Sequence, residues 1–311
     1  MNRSRRAWPL IALLPGAVLA QEAPPAWLAG SWRDAEGRYL VRFEEGRLAL
    51  HAAGRLSFTR ARYAPDGRIG VLVQGAVEAI AVSRQGEAIE LDLGPLVEAP
   101  SDLRLERAGA DPPQLRLDPF PLPPLPPAPS PERIAALQTE LARRVEVDQA
   151  VRTDRSRAGE MARVDADNTA WLKEQLAELG WIDAVRFGPR ASDAAFLLVQ
   201  HSGDLPLMLA SLPPIEADVR AKRLGGQPFA LLHDRLALAL GRTQRYGSQV
   251  GLGPAGPTLL PLEDPGRVDE RRAELGLGPL REYLAWFEED GVKVAVPERD
   301  PLEAWAEEAS R

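Results

Sequence analysis

Between Gly109 and Ser130 the chain runs through a segment that can join neither a helix nor a sheet. Six of the nine residues from Pro119 to Pro127 are proline. Each lacks the backbone N–H that either hydrogen-bond ladder needs and holds φ near the polyproline II value. Residues 109–130 therefore read as an extended spacer, and the rest of the chain must fold on one side of it or the other. At 311 residues, 45% apolar and 27% charged, there is enough chain for two ordinary globular domains.

On the N-terminal side, residues 27–108 show short alternating runs: Arg38 to Phe43, Arg47 to His51, Leu56 to Tyr63, Arg68 to Gln74 and Ala88 to Leu93. Glu45-Gly46, Asp66-Gly67 and Gln85-Gly86 stand where hairpins need positive φ. Seven or so antiparallel strands are expected, too many for one exposed flat sheet, so a small all-β barrel or a sandwich follows. Gly30-Ser31-Trp32 resembles the Gly-x-Trp start of lipocalin-type barrels, in which the tryptophan closes the barrel floor. The β-rich segment is about half the length of such a domain, so the resemblance implies a core plug more than a full ligand-enclosing calyx.

Residues 1–20 read as a signal peptide. Arg3, Arg5 and Arg6 precede an apolar run from Trp8 to Leu19, and Val18-Leu19-Ala20 offers a small-residue cleavage site, so the mature chain is expected to begin at Gln21. Pro9, Pro15 and Gly16 interrupt the run, which falls short of the roughly 20 residues of a spanning helix. Ser4-Arg5-Arg6-Ala7-Trp8 resembles the twin-arginine export motif, with Pro9 as a departure, and leaves the export route open. A periplasmic or secreted location is expected, with no membrane insertion. Loss of the three arginines takes the formal charge from −7 to −10, which argues against nucleic acid as a partner. The chain has no cysteine, so it can form neither disulfides nor thiolate metal sites.

On the C-terminal side, residues 131–311 read as a mainly α-helical domain. Ser130 caps and Pro131 opens a helix to about Arg157, with Ile134, Leu137, Leu141 and Val145 on one stripe. Further helices are expected over Asn168 to Leu179, Asp193 to His201, Pro214 to Arg223 and Pro228 to Leu240, with two more near Val268 to Leu275 and Pro279 to Glu289. Arg242 to Val250 and Thr258 to Leu262 are expected to pair as a β-hairpin. Trp286 and Trp305 could serve a core or a partner surface.

Candidate chemistry lies where helical periodicity conflicts with residue type. The stripe of Leu137 and Leu141 continues through Asp148 and Arg152. His201 ends the apolar face of Ala194, Leu197 and Leu198, beside Gln200 and Asp204. Asp234 and Arg235 interrupt a helix that is otherwise apolar all round. Such groups form either a structural network of ion pairs or a working site.

Asp148-Gln149-x-x-Arg152, Gln200-His201-Ser202-x-Asp204, Asp234-Arg235 and Gln244-x-Tyr246-Gly247-Ser248-Gln249 together resemble a family of exported bacterial domains of unknown function. The likeness continues through Pro261-Leu262-Glu263-Asp264 and Val268-Asp269-x-Arg271-Arg272. It spans roughly residues 140 to 284, with Ser248 in place of a threonine and Gly203 inserted. It implies no activity.

Other signals are set aside. Asp165-x-Asp167-Asn168 lacks the glycine and distal glutamate of a calcium loop and reads as helix capping by Asp167. Gly225-Gly226 and Gly251-x-Gly253 follow no strand that opens a helix. Three histidines split between the domains make a metal site or cofactor unexpected, and no Gly-x-Ser-x-Gly elbow is present. Two functions remain. In one, the protein binds an unknown envelope ligand or protein through Asp148, Gln149, Arg152, Gln200, Arg235, Gln244, Tyr246 and Gln249. In the other, it is a metal-free hydrolase or transferase with His201 as general acid or base, oriented by Asp204 or Asp234.

Overall fold

The computed structural model describes residues 22–73, 75–110, 112–253, 256–288 and 292–310. The signal-peptide reading of residues 1–20 lies outside them. Among the described residues, eight antiparallel strands close a barrel in sequence order: β1 (Gly30–Arg33), β2 (Tyr39–Glu44), β3 (Arg47–Ala52), β4 (Arg55–Tyr63), β5 (Arg68–Val73), β6 (Ala76–Gln85), β7 (Ala88–Leu91) and β8 (Leu103–Arg107). Gly46, Gly67 and Gly86 take φ of 70°, 90° and 68° at the tight turns, a region costly for residues with a Cβ. The barrel is filled by its inward side chains, among them Val41, Phe43, Leu48, Leu50, Ile69 and Ile89.

Trp32 is buried at one end of this core and donates its indole N–H to the Leu28 carbonyl at 2.7 Å. Arg107 on the closing strand lies 4.0 Å over the Trp32 ring and bonds the Trp27 carbonyl at 2.6 Å. Trp32 and Arg107 face each other across the β1–β8 seam. A cation–π contact thus sits where the sheet closes on itself.

The helical part comprises α1 (Pro131–Thr153), α2 (Met161–Leu179), α3 (Ala184–Phe187), α4 (Pro189–Ser202), α5 (Leu205–Arg220), α6 (Gly226–Ala239), the hairpin β9 (Val250–Gly253) with β10 (Gly256–Leu259), then α7 (Val268–Glu274), α8 (Leu280–Leu284) and α9 (Pro301–Ala309). Ser130 Oγ accepts from Arg133 N as the cap of α1. No helix among the described residues is long and apolar enough to cross a membrane.

Several boundaries differ from those expected. α2 begins at Met161, so Asp167 lies inside the helix and pairs with Arg144 at 2.8 Å instead of capping. α5 runs through Pro213 and Pro214, although each interior proline costs roughly 3 kcal/mol. Burial of Leu207, Met208 and Ile215 along one face offsets that cost. The hairpin is shorter than expected, because the backbone N–H groups of Arg245, Tyr246 and Ser248 are taken by a carboxylate instead of a strand.

The proline-rich segment is extended but does not stand off as a spacer. Leu115 is buried against Leu40 and Ala49 of the barrel, Phe120 N donates to the Pro206 carbonyl at 2.9 Å, and Arg186 Nη1 donates to the Pro126 carbonyl at 2.9 Å. The chain also returns to the barrel at its far end. α9 packs on β4, β5 and β6, with Asp300 2.5 Å from Arg60 and Glu303 bonded to Arg62. The Trp305 ring covers Gly70 so closely that a Cβ there would collide with it. Gly70→Ala is therefore expected to cost about 1–3 kcal/mol by overpacking. Thermal unfolding read by barrel circular dichroism tests this, and an unchanged midpoint would mean that α9 does not bear on the barrel.

Candidate functional site

Two fully buried carboxylates organise the helical part, one held mainly by backbone N–H groups and the other by side chains alone. Asp234 on α6 is 0% exposed. Its oxygens accept from the backbone N–H of Arg245 at 2.7 Å, Tyr246 at 3.1 Å and Ser248 at 3.0 Å. Ser248 Oγ donates to the Ala230 carbonyl, and the Gln244 amide bridges Gln249 and the Leu260 carbonyl. Arg271 and Arg272 take the carbonyls of Arg245 and Tyr246 from the other side. Asp234, Gln244, Tyr246 and Gln249 are thus engaged in holding the 244–249 loop.

Asp148 on α1 is also 0% exposed, but its partners are side chains. His201 Nδ1 lies 2.8 Å from one oxygen and 3.1 Å from the other. Arg152, one turn along α1, reaches it through Nη2 at 3.2 Å, and the Gln149 amide donates at 2.8 Å. Arg152 also bonds Asp165 of α2 and touches Met161 Sδ at 3.1 Å. Burial alone would raise the Asp148 pKa. The hydrogen bonds from His201 and Arg152, with the charge attraction of His201, outweigh burial and hold it at about 2. Asp165 moves the other way, pushed up by burial and by the neighbouring Asp148 charge against the pull of Arg152.

His201 closes α4, ahead of Gly203 in the left-handed region at φ 61°. A hydrogen bond from Nδ1 to a carboxylate puts a proton on Nδ1 and leaves Nε2 as the edge of the ring turned away from Asp148. No described residue bonds Nε2, and the side chain is 17% exposed. Next to it, Arg235 of α6 donates through Nη1 to the Gln200 carbonyl at 2.9 Å. With the Gln200 amide turned to satisfy both its ends, its oxygen accepts from Arg235 Nε and Nη2 at 3.2 and 3.3 Å. No carboxylate pairs with Arg235 among the described residues. Burial pushes its pKa down, and the positive charge of Arg152 adds to that.

The structure therefore brings Asp148, Gln149, Arg152, Gln200, His201 and Arg235 together. The carboxylate at His201 is Asp148, in place of the expected Asp204 or Asp234. Asp204 instead caps α5 by accepting from Leu207 N at 2.9 Å and pairs with Lys173. Asp165 reads from the sequence only as part of a calcium-loop-like run, because a helix expected to begin at Asn168 leaves it outside, whereas α2 begins at Met161. Counting the helical period back from Leu172 through Asn168 puts Asp165 on the edge of the same inward face. His233, 3.3 Å from Asp234 and edge-on to Tyr246, was also missed and carries no periodic signal. Among the described residues, no three His, Asp or Glu side chains converge as a metal-ligand set.

Residues 135–295 match the model of a family described as a family of unknown function (DUF6624). That span holds both carboxylates and every side chain of the cluster. No curated protein and no solved structure matches the chain.

The two carboxylates predict different behaviour. The folded pKa of Asp148 lies below the ordinary value, so its stabilisation is complete above about pH 4 and is lost as pH falls towards 2, about 2 kcal/mol in all. Asp148→Asn should flatten that part of the stability-against-pH curve. Asp234→Ala leaves three backbone donors without a partner and should cost about 3 kcal/mol or more at neutral pH. Denaturant unfolding across pH separates them, and equal acid limbs in wild type and Asp148→Asn would refute the first.

Proposed function

The chain belongs to this family of unknown function, and from that premise we propose that its helical domain performs acid–base chemistry on an anionic substrate, as a hydrolase or transferase. His201 would carry the proton. The observation that bears most weight is the Asp148–His201 pair, with Nδ1 tied to a buried carboxylate and Nε2 left to the outside. That arrangement fixes the ring and its tautomer and leaves a base for a water or hydroxyl. Arg235, with no carboxylate of its own, would hold the substrate's negative charge or the charge that develops in the transition state. Arg152, shared between Asp148 and Asp165, would keep the pair in place. Ser202 is an unsuitable nucleophile, since its Oγ donates to the Val199 carbonyl at 2.8 Å. The basic start and apolar run of residues 1–20 support action in the periplasm or outside the cell.

A second reading, a binding protein of the envelope, draws on a cleft of about 1070 Å3 between the barrel and α6. Its walls carry Arg47, Arg60, Arg62, His233 and Arg245 with the acids Glu22, Glu44, Glu45 and Glu263, together with Arg242, an exposed side chain with no ion partner among the described residues.

The test is a panel of chromogenic esters, amides and phosphoesters. On any substrate turned over, His201→Asn should lower kcat by about 10²–10⁴, with the fold intact by circular dichroism. Turnover that survives His201→Asn unchanged would sink the acid–base reading, whereas ligand capture without turnover of any compound would favour the binding protein.

A further inference from the structure

A groove of about 600 Å3 lies beside the cluster, between α6 and the segment that carries α8. Leu231 forms one wall, and Leu277, Pro279, Tyr283, Trp286 and Phe287 form the other. Tyr283 stands edge-on to Phe287, with ring centroids 5.3 Å apart, and tilts against Trp286 at 6.5 Å. Trp286 is 84% exposed and Phe287 39%. These rings are costly to leave in water and are available to a ligand.

The groove is joined to the cluster through α6. Gln227 and Leu231 both line it, and Arg235 is the next residue at the same four-residue spacing, so the three follow one another along one helix face. The far wall is fixed to the same frame. Tyr283 Oη donates to the Ser248 carbonyl at 2.8 Å, and the Gln249 amide reaches the Leu231 carbonyl at 3.4 Å.

Arg235 has capacity to spare. Gln200 takes one N–H from each of Nε, Nη1 and Nη2. Two N–H groups, one on each terminal nitrogen, therefore remain for a carboxylate. The charge balance points the same way. Arg152 already faces two carboxylates and Arg235 faces none, while Arg272 and Glu282, which also line the groove, offset each other in charge, so one negative charge is called for at Arg235. A phosphate dianion would add a surplus beside Asp148 and Asp165.

We propose that the groove and Arg235 form a single binding site for an amphiphilic carboxylate. Its apolar chain or ring lies over Tyr283, Trp286 and Phe287, and its carboxylate bonds to Arg235. This rests on the reading of His201 as an acid–base group and names the class of molecule brought to it.

Calorimetric titration of the full chain with octanoate tests the proposal, with octan-1-ol and acetate as the tail and the head alone. Octanoate should bind, and both partial ligands should bind at least about tenfold more weakly. Trp286→Ala, at a side chain too exposed to matter for folding, and Leu231→Gln should each weaken octanoate by about tenfold. Arg235→Gln should abolish the preference for octanoate over octan-1-ol. The proposal is overturned if octanoate does not bind, if it binds Trp286→Ala and Leu231→Gln as tightly as wild type, or if octan-1-ol binds equally well. His201→Asn separates this from the acid–base reading. Octanoate affinity kept in a variant that has lost turnover supports both, and affinity kept with turnover also kept leaves the groove standing without the chemistry.

Discussion

The helical domain depends on one buried negative charge. Asp234 sits in the interior of α6 with no exposed surface, and a lone carboxylate there would be untenable. Three N–H groups of one loop neutralise it, and Arg271 and Arg272 hold the carbonyls of the same loop. The segment from Gln244 to Gln249 is thereby fixed as an irregular turn. Tyr246, packed on Phe229 and His233, and Tyr283, bonded to the Ser248 carbonyl, take their positions from it. The groove wall and the helix face that bears Arg235 are built on that frame.

Asp148 shows what changes when the partners of a buried carboxylate are side chains. Asp234 also meets a histidine, His233 at 3.3 Å, but its three backbone donors cannot titrate or move away, so it stays a fixture of the loop. Histidine and arginine can respond to a ligand, and His201 reaches solvent on its far side. The two acids have the same exposure and sit in the same domain, yet one builds scaffold and the other presents a reactive edge.

The sequence made some of this legible and hid the rest for physical reasons. Alternation and glycine turns reveal the barrel, while strands of four residues such as Gly30–Arg33 and Ala88–Leu91 are too short for a period to register. Helical spacing places Asp148, Arg152 and His201 on inward faces. It does not say which acid meets the histidine, since that depends on how α1 and α4 cross. Asp234 and Arg235 are neighbours in sequence and about 100° apart around the helix, so one turns to the loop and the other to the cluster. The proline tract was legible as extended backbone, but Leu115 and Phe120, which dock it, look like ordinary spacing residues within it.

The return of α9 to the barrel has a consequence for the order of assembly. Arg60 and Arg62 are nearly buried on the barrel wall, and Asp300 and Glu303 are made some two hundred and forty residues after them. A nascent barrel can close its strands early and pair Arg62 with Glu22 at 2.8 Å, yet it must keep the Arg60 guanidinium hydrated until α9 emerges. Completion of the barrel wall thus waits on a segment made after the rest of the helical domain, which ties the two parts of the chain together at both ends of that domain.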